Sequence, residues 1–218
     1  MFEFSIMRKI LSKILLLLVL PISVLSQEND FRIWTSFAAT NKIDKKRNLT
    51  IKQGFRFREN ASLMSKRFTD AKIRYKHNKN WYLSFGYRFS IDWNKKQKLE
   101  KANRFYADFT YRKKLNRFNF SIRNRLLKQG LKDDYEDIFR QKFSTNYNIR
   151  KTKLEPSLAF EYFYSLEKII KKLRFTFGMT YPIVRDLDFE LSYRIQQEFN
   201  TNNPETLFIL DGKMSYNF

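Results

Sequence analysis

Hydrolysis of a lipid ester by a serine nucleophile commonly uses a histidine base within reach, with Lys or Tyr as alternatives to which nothing in this sequence points. This 218-residue sequence has a single histidine, His77. It sits in the basic stretch Lys76-His-Asn-Lys79, where a solvated turn residue is expected rather than a base. With one His, no Cys and scattered carboxylates, no metal site can be assembled. Asp133, Asp134 and Asp211 read as ordinary solvated acids. No catalytic, metal or cofactor residue is assigned, no cofactor is expected, and the chain is read as non-enzymatic. The side chains with chemical potential are instead a charged set: Arg56, Arg88, Arg104, Asp108, Arg123, Arg125, Arg140, Glu155, Glu161, Arg174, Asp188, Glu190 and Arg194. Facing one another inside a small enclosure, they could pair and fill it, because charges leaving water need partners. Alternatively, the arginine surplus could line a narrow anion-preferring passage.

What would bring them together is a set of alternating strands. Trp81–Ile91 is the clearest, with Trp81, Leu83, Phe85, Tyr87, Phe89 and Ile91 opposing Tyr82, Ser84, Gly86, Arg88 and Ser90. Such period-two patterning belongs to a strand between unlike media. The same pattern recurs over Asn48–Glu59, Arg67–Lys76, Asn103–Arg112, Arg117–Leu126, Ile138–Ile149, Leu154–Tyr164, Lys172–Tyr181 and Leu187–Phe199, and more briefly over Phe31–Ala38. Pro156 falls near a strand start, where a missing N–H is tolerated. In each strand the charged set shares one face and the Phe, Tyr, Leu and Ile side chains share the other.

The two ends say where such a sheet would sit. In Thr206–Phe218, the residues Leu210, Gly212, Met214, Tyr216 and Phe218 lie on one face and Asp211, Lys213, Ser215 and Asn217 on the other. A terminal Phe with Tyr216 two residues before it resembles the C-terminal signal by which outer-membrane barrels are assembled, so Tyr216 and Phe218 are assigned to the barrel-assembly machinery. At the other end, Met7–Gln27 has a basic start, an apolar run and small residues. The run Ile14–Leu20 is far short of the roughly 20 residues of a spanning helix, so a cleaved signal peptide over 1–26 is expected rather than an anchor. Residues 27–218 then form one domain, and any membrane crossing is by strands.

Connection lengths add direction. From residue 60 they alternate long (60–66, 92–102, 127–137, 165–171) and short (77–80, 113–116, 150–153, 183–186), as in outer-membrane barrels with outer loops and periplasmic turns. This gives ten strands with both ends on the periplasmic side. Phe31–Ala38 breaks the parity: it lies in the lumen, pairs at the seam, or changes the count, within a range of 10–12 strands. A mean hydropathy of −0.58 fits a barrel, because lipid meets only alternate residues.

The formal net charge of +21 admits a polyanionic partner. Export argues against nucleic acid and leaves lipid or lipopolysaccharide phosphates, while solvated lysines account for most of the charge.

Single residues spread along nearly the whole mature chain carry a resemblance. They are Trp34, Asn103-Arg104-Phe105 with Asp108 and Tyr111, Arg123, Arg125, Arg140, Pro156, Glu161, Arg174 with Gly178 and Tyr181, and Tyr193-Arg194. In these the sequence resembles a Bacteroidetes-type outer-membrane barrel family known as domain of unknown function 2490. The resemblance implies location and fold but no activity. The expectation is therefore a small monomeric, porin-like transmembrane antiparallel up-and-down β-barrel in a Gram-negative outer membrane, structural or a narrow anion-leaning channel. The alternatives are an outer-leaflet lipid- or lipopolysaccharide-modifying enzyme and a secreted soluble β-sandwich.

Overall fold

The computed structural model describes residues 31–218 except 95, 132–133, 166–169 and 202–203. The leader expected at 1–26 and Asp133 lie outside the described residues. The described chain is all strand and connection: β1 (Phe31–Lys42), β2 (Arg47–Arg58), β3 (Leu63–Lys76), β4 (Trp81–Trp93), β5 (Leu99–Leu115), β6 (Phe118–Leu131), β7 (Asp134–Tyr147), β8 (Glu155–Ser165), β9 (Ile170–Val184), β10 (Leu187–Glu198) and β11 (Thr206–Asn217). Consecutive strands pair antiparallel, and β1 pairs with β11 to close a single barrel. The sheet closes on itself, so the two-sheet sandwich is not the architecture.

Eleven strands settle the parity problem. In an up-and-down ring with an odd count, the first and last strands run the same way, so one contact must be parallel. That contact is β1 with β11, in register from Phe31 opposite Phe208 to Thr40 opposite Asn217. The segment Phe31–Ala38 is thus a full seam strand, inserted between the two strands expected to close a ten-strand ring. The ten strands from Asn48 onward begin and end at one rim, as expected, while β1 adds an eleventh strand whose first residue, Phe31, lies at the rim opposite Phe218. We call the rim holding Phe218 the lower rim and the rim holding Phe31 the upper rim.

The long–short rhythm does not survive either. At the lower rim the connections are 43–46, 77–80, 116–117, 148–154 and 185–186; at the upper rim they are 59–62, 94–98, 132–133, 166–169 and 199–205. Segments expected as long upper loops are largely strand: β5 pairs with β6 as far as Ala102 opposite Leu131, and β6 with β7 as far as Leu131 opposite Asp134. Backbone pairing continues beyond the band where side chains alternate, and composition alone marks only that band.

No turn uses a left-handed glycine; among the described residues the left-handed positions are Asn60, Asn116, Asp186 and Asn200 together with Glu59, Ala61, Gln97 and Lys151. Asn116, Asp186 and Asn200 take left-handed φ angles of 52°, 75° and 53°, and no glycine has a positive φ. Asn and Asp tolerate this region because their short side chains bond locally to the backbone. In the β1–β2 turn the Asp44 carboxylate accepts the backbone N–H groups of Lys46 (2.8 Å) and Arg47 (2.7 Å) and the Arg47 side chain. These bonds, led by the Lys46 N–H, hold its pKa below the ordinary carboxylate value.

The two faces of the wall differ completely. Outward side chains stay apolar and open: Phe85 is 61 % exposed and Phe177 57 %, with Ile51, Phe105, Leu126, Leu158 and Leu191 similarly uncovered. Aromatic pairs mark the outer wall toward the lower rim, with Trp81 stacked on Phe109 at 4.7 Å and Phe118 against Tyr147 at 4.8 Å. Inward, every strand contributes a buried residue, from Trp34 on β1 to Ile209 and Asp211 on β11. The core of this molecule is therefore its lumen.

A basic lumen as the candidate functional site

Inward positions at mid-height form a layer in which guanidinium groups alternate with aromatic rings. Arg56 lies over Trp34 at 3.8 Å, Arg88 over Phe68 at 4.0 Å, Arg125 over Tyr106 at 3.8 Å and Arg140 over Phe163 at 4.6 Å. Arg174 bridges Phe163 and Trp34, at 5.0 and 5.3 Å. Arginine suits this packing because its weakly hydrated planar group stacks on rings while its edge donates hydrogen bonds.

The edges find carboxylates. Arg125 grips Asp108 with two bonds, Nε to Oδ1 at 2.5 Å and Nη2 to Oδ2 at 2.7 Å. Asp70 accepts from Arg88 Nε at 2.9 Å and from the Tyr106 hydroxyl at 2.8 Å. Glu161, 2 % exposed, accepts from three arginines: Arg140 at 2.6 Å, Arg123 at 3.2 Å and Arg174 at 3.2 Å. Arg194 pairs with Asp211, and Lys213 with Glu190 at 3.3 Å. Each carboxylate meets at least one cation, and Glu161 and Asp108 accept more than one charge-assisted bond, which is what makes ionised groups tolerable away from water.

Glycine admits the rings. Gly54 stands directly across from Phe68 and Gly86 directly across from Tyr106. A Cβ at Gly54 would lie 2.3 Å from the Phe68 ring, and one at Gly86 would lie 2.2 Å from Tyr106. Each ring lies flat over a neighbouring strand because that strand offers no side chain there.

Above and below this layer the lumen opens. The upper cavity is about 630 Å³, lined by Arg56, Lys66, Arg88, Arg104, Lys171 and Lys172 together with Asp92, Glu100 and Glu136. The lower one is about 160 Å³, lined by Lys72, Arg74, Arg112, Arg123 and Lys142 with Asp108. Both cavities are basic. Between them Asp70, Tyr106, Arg125, Glu161, Phe163 and Arg174 are all buried, so side chains fill the middle of the lumen densely.

The structure thus brings together Arg56, Arg88, Arg104, Asp108, Arg123, Arg125, Arg140, Glu161, Arg174 and Arg194 at or next to the filled layer. Glu190 lies beside Lys213, on the lower-rim side of the Arg194–Asp211 pair. Glu155 and Asp188 face inward at the lower rim, outside the layer. Asp211, read as a solvated acid, is 6 % exposed and ion-paired, because it sits on the polar face of β11 at mid-height. His77 stands exposed in the β3–β4 turn, its backbone N–H donating to Trp81 O at 3.0 Å. Asp70 and the rings of Phe68 and Phe163 were not picked out by residue type. An apolar residue on the polar face, opposite a glycine, is the available signal, as at Phe68.

A family model described as a protein of unknown function (DUF2490) matches residues 31–206. That span runs from the first residue of β1 to the first of β11, and takes in the whole Arg–aromatic layer except Leu207, Ile209 and Asp211. The chain belongs to the DUF2490 family. Comparison with curated proteins gives no match. The family span includes Trp34, Arg104, Asp108, Glu161 and Arg174, so in this member of DUF2490 the residues that carried the resemblance are mostly ones that pack the lumen.

Proposed function

We propose that this DUF2490 chain is a monomeric barrel of a Gram-negative outer membrane, non-enzymatic and closed to through-flow at mid-height. The observation that carries the membrane part is the continuous apolar outer wall. Soluble monomers rarely expose apolar patches beyond a few hundred Å², and here two or more exposed Phe, Leu, Ile or Tyr side chains stand on each of β2–β6 and β8–β10, with Phe37 on β1, Phe143 on β7 and Met214 on β11. Twelve residues, as in β11, at about 3.3 Å each and tilted by about 40° span roughly 30 Å, which matches a hydrocarbon core. The apolar face of β11, ending in Tyr216 and Phe218, supports recognition by the barrel-assembly machinery, and the lower rim is then periplasmic. The basic rims suit contact with lipid or lipopolysaccharide phosphates.

The filled layer favours a structural or ligand-holding role over an anion channel. Reconstitution in planar bilayers tests this choice: protein recovered with the membrane gives no stepwise conductance. Sustained anion-selective steps from the wild-type chain would return the account to a narrow pore. No observation favours the outer-leaflet enzyme, since His77 lines neither cavity.

A further inference from the structure

The upper cavity has a charge arrangement that folding alone does not explain. Its floor is built from four neighbouring strands, β2 to β5, carrying Arg56, Lys66, Arg88 and Arg104. At the β3–β4 contact the charges are balanced across the ladder: Lys66 stands opposite Asp92 and Arg88 opposite Asp70. Both pairs close, at 2.6 and 2.9 Å. The two flanking contacts are the reverse. Arg56 stands directly opposite Lys66, and Arg104 directly opposite Arg88. Like charges in directly opposed positions destabilise a sheet.

The two extra cations also lack carboxylates. Among the described residues Arg56 makes no side-chain hydrogen bond or ion pair; it is held by its stack on Trp34. Arg104 reaches only the neutral Gln129, and its Nε is buried without a partner. Four cations stand against Asp70, Asp92 and Glu100, so a net positive charge remains, and neither the Arg56 nor the Arg104 guanidinium has a carboxylate partner on the floor of this cavity of about 630 Å³.

We propose that the upper cavity binds a phosphomonoester dianion, with Arg56 and Arg104 as its principal ligands. A phosphomonoester carries close to two negative charges at neutral pH and three acceptor oxygens. It therefore supplies the missing counter-charge and gives both planar forks an acceptor. The cavity leaves room for an organic group beside the phosphate, open toward the upper rim. This site follows from lumen geometry and goes beyond the membrane assignment. It holds for the refolded barrel whichever compartment the chain occupies.

The test uses the refolded full chain in neutral detergent, reading the thermal unfolding transition and the affinity by calorimetry. Inorganic phosphate and glycerol 3-phosphate are compared with chloride and succinate at equal ionic strength, and micelles doped with phosphatidic acid form a separate arm. The expected result is a raised transition with the phosphate probes, with affinity falling at least about tenfold in Arg56→Gln and Arg104→Gln. Arg117→Gln, at the exposed lower rim, keeps it. The same two variants relieve like-charge opposition but give up the Trp34 stack and the Gln129 bond, so each is compared with its own ligand-free transition: a cooperative transition that phosphate no longer raises separates lost binding from lost folding. A response to phosphatidic acid alone assigns the phosphate to a lipid headgroup, and a response to the soluble probes assigns it to a free metabolite. Equal responses to phosphate, chloride and succinate, or an undiminished response in both variants, overturn the proposal.

Discussion

At the scale of single residues, this lumen is decided by who shares a carboxylate with whom. Glu161 serves three arginines at once. Replacing it with Gln keeps the shape but leaves Arg123, Arg140 and Arg174 without their buried counter-charge. Breaking a buried pair typically costs about 3–5 kcal/mol, and Glu161→Gln is expected to lower the unfolding free energy by that order, read as a lower urea midpoint at unchanged slope. The glycines make a second residue-scale prediction. Tyr106 is pinned over Gly86 by Asp70 on one side and Arg125 on the other, so its ring cannot swing aside cheaply. Gly86→Ala is expected to cost about 1–3 kcal/mol, as overpacking does. Combining it with Tyr106→Leu should recover part of that loss, and denaturation of the double variant checks the coupling. At the turn, Asp44 is held ionised by backbone N–H groups. A depressed folded pKa contributes stability that is complete above the ordinary carboxylate value and is lost as pH falls through the folded one. Acid titration of wild type against Asp44→Asn should therefore differ above about pH 4 and converge below it.

Individual elements are where sequence legibility ends. Alternation located every strand from Asn48 onward, because an inward Arg or Ser beside an outward Phe is visible without any partner. It could not place β1, since pairing at a seam depends on the direction of a strand some 170 residues away, and parity only on the total count. Nor could it find the strand ends. Backbone hydrogen bonding extends β5, β6 and β7 past the residues whose side chains alternate, and the loops shrink accordingly. The charged site is legible by position but not by pairing: Arg125 and Asp108 fall on the polar faces of alternating strands, whereas the burial of Asp70 and Asp211 has no signature in the sequence because a single acid is not periodic. The seam can be tested directly. The chain has no native Cys, and Phe37 lies opposite Met214 on the outer face of the parallel β1–β11 pair. Phe37→Cys with Met214→Cys is expected to form a disulfide under mild oxidation, since facing Cα atoms in a ladder fall within the permitted range. Phe37→Cys with Phe208→Cys, six residues out of register, is expected not to. A β1 lodged in the lumen would cross-link neither pair.

The whole molecule is inverted relative to a soluble domain: the polar side of its wall is the core and the apolar side is the surface. A barrel with that polarity is stable only where something apolar surrounds it, and the terminal Phe218, 67 % exposed beside Tyr216, belongs to the same outer wall. The most direct measurement is fractionation of expressing cells followed by comparison of boiled and unboiled gel mobility, for the full chain and for one lacking Phe218. The prediction is a heat-modifiable band in the outer-membrane fraction, much reduced when Phe218 is removed. Soluble periplasmic protein with the same mobility before and after boiling would contradict the membrane-spanning barrel.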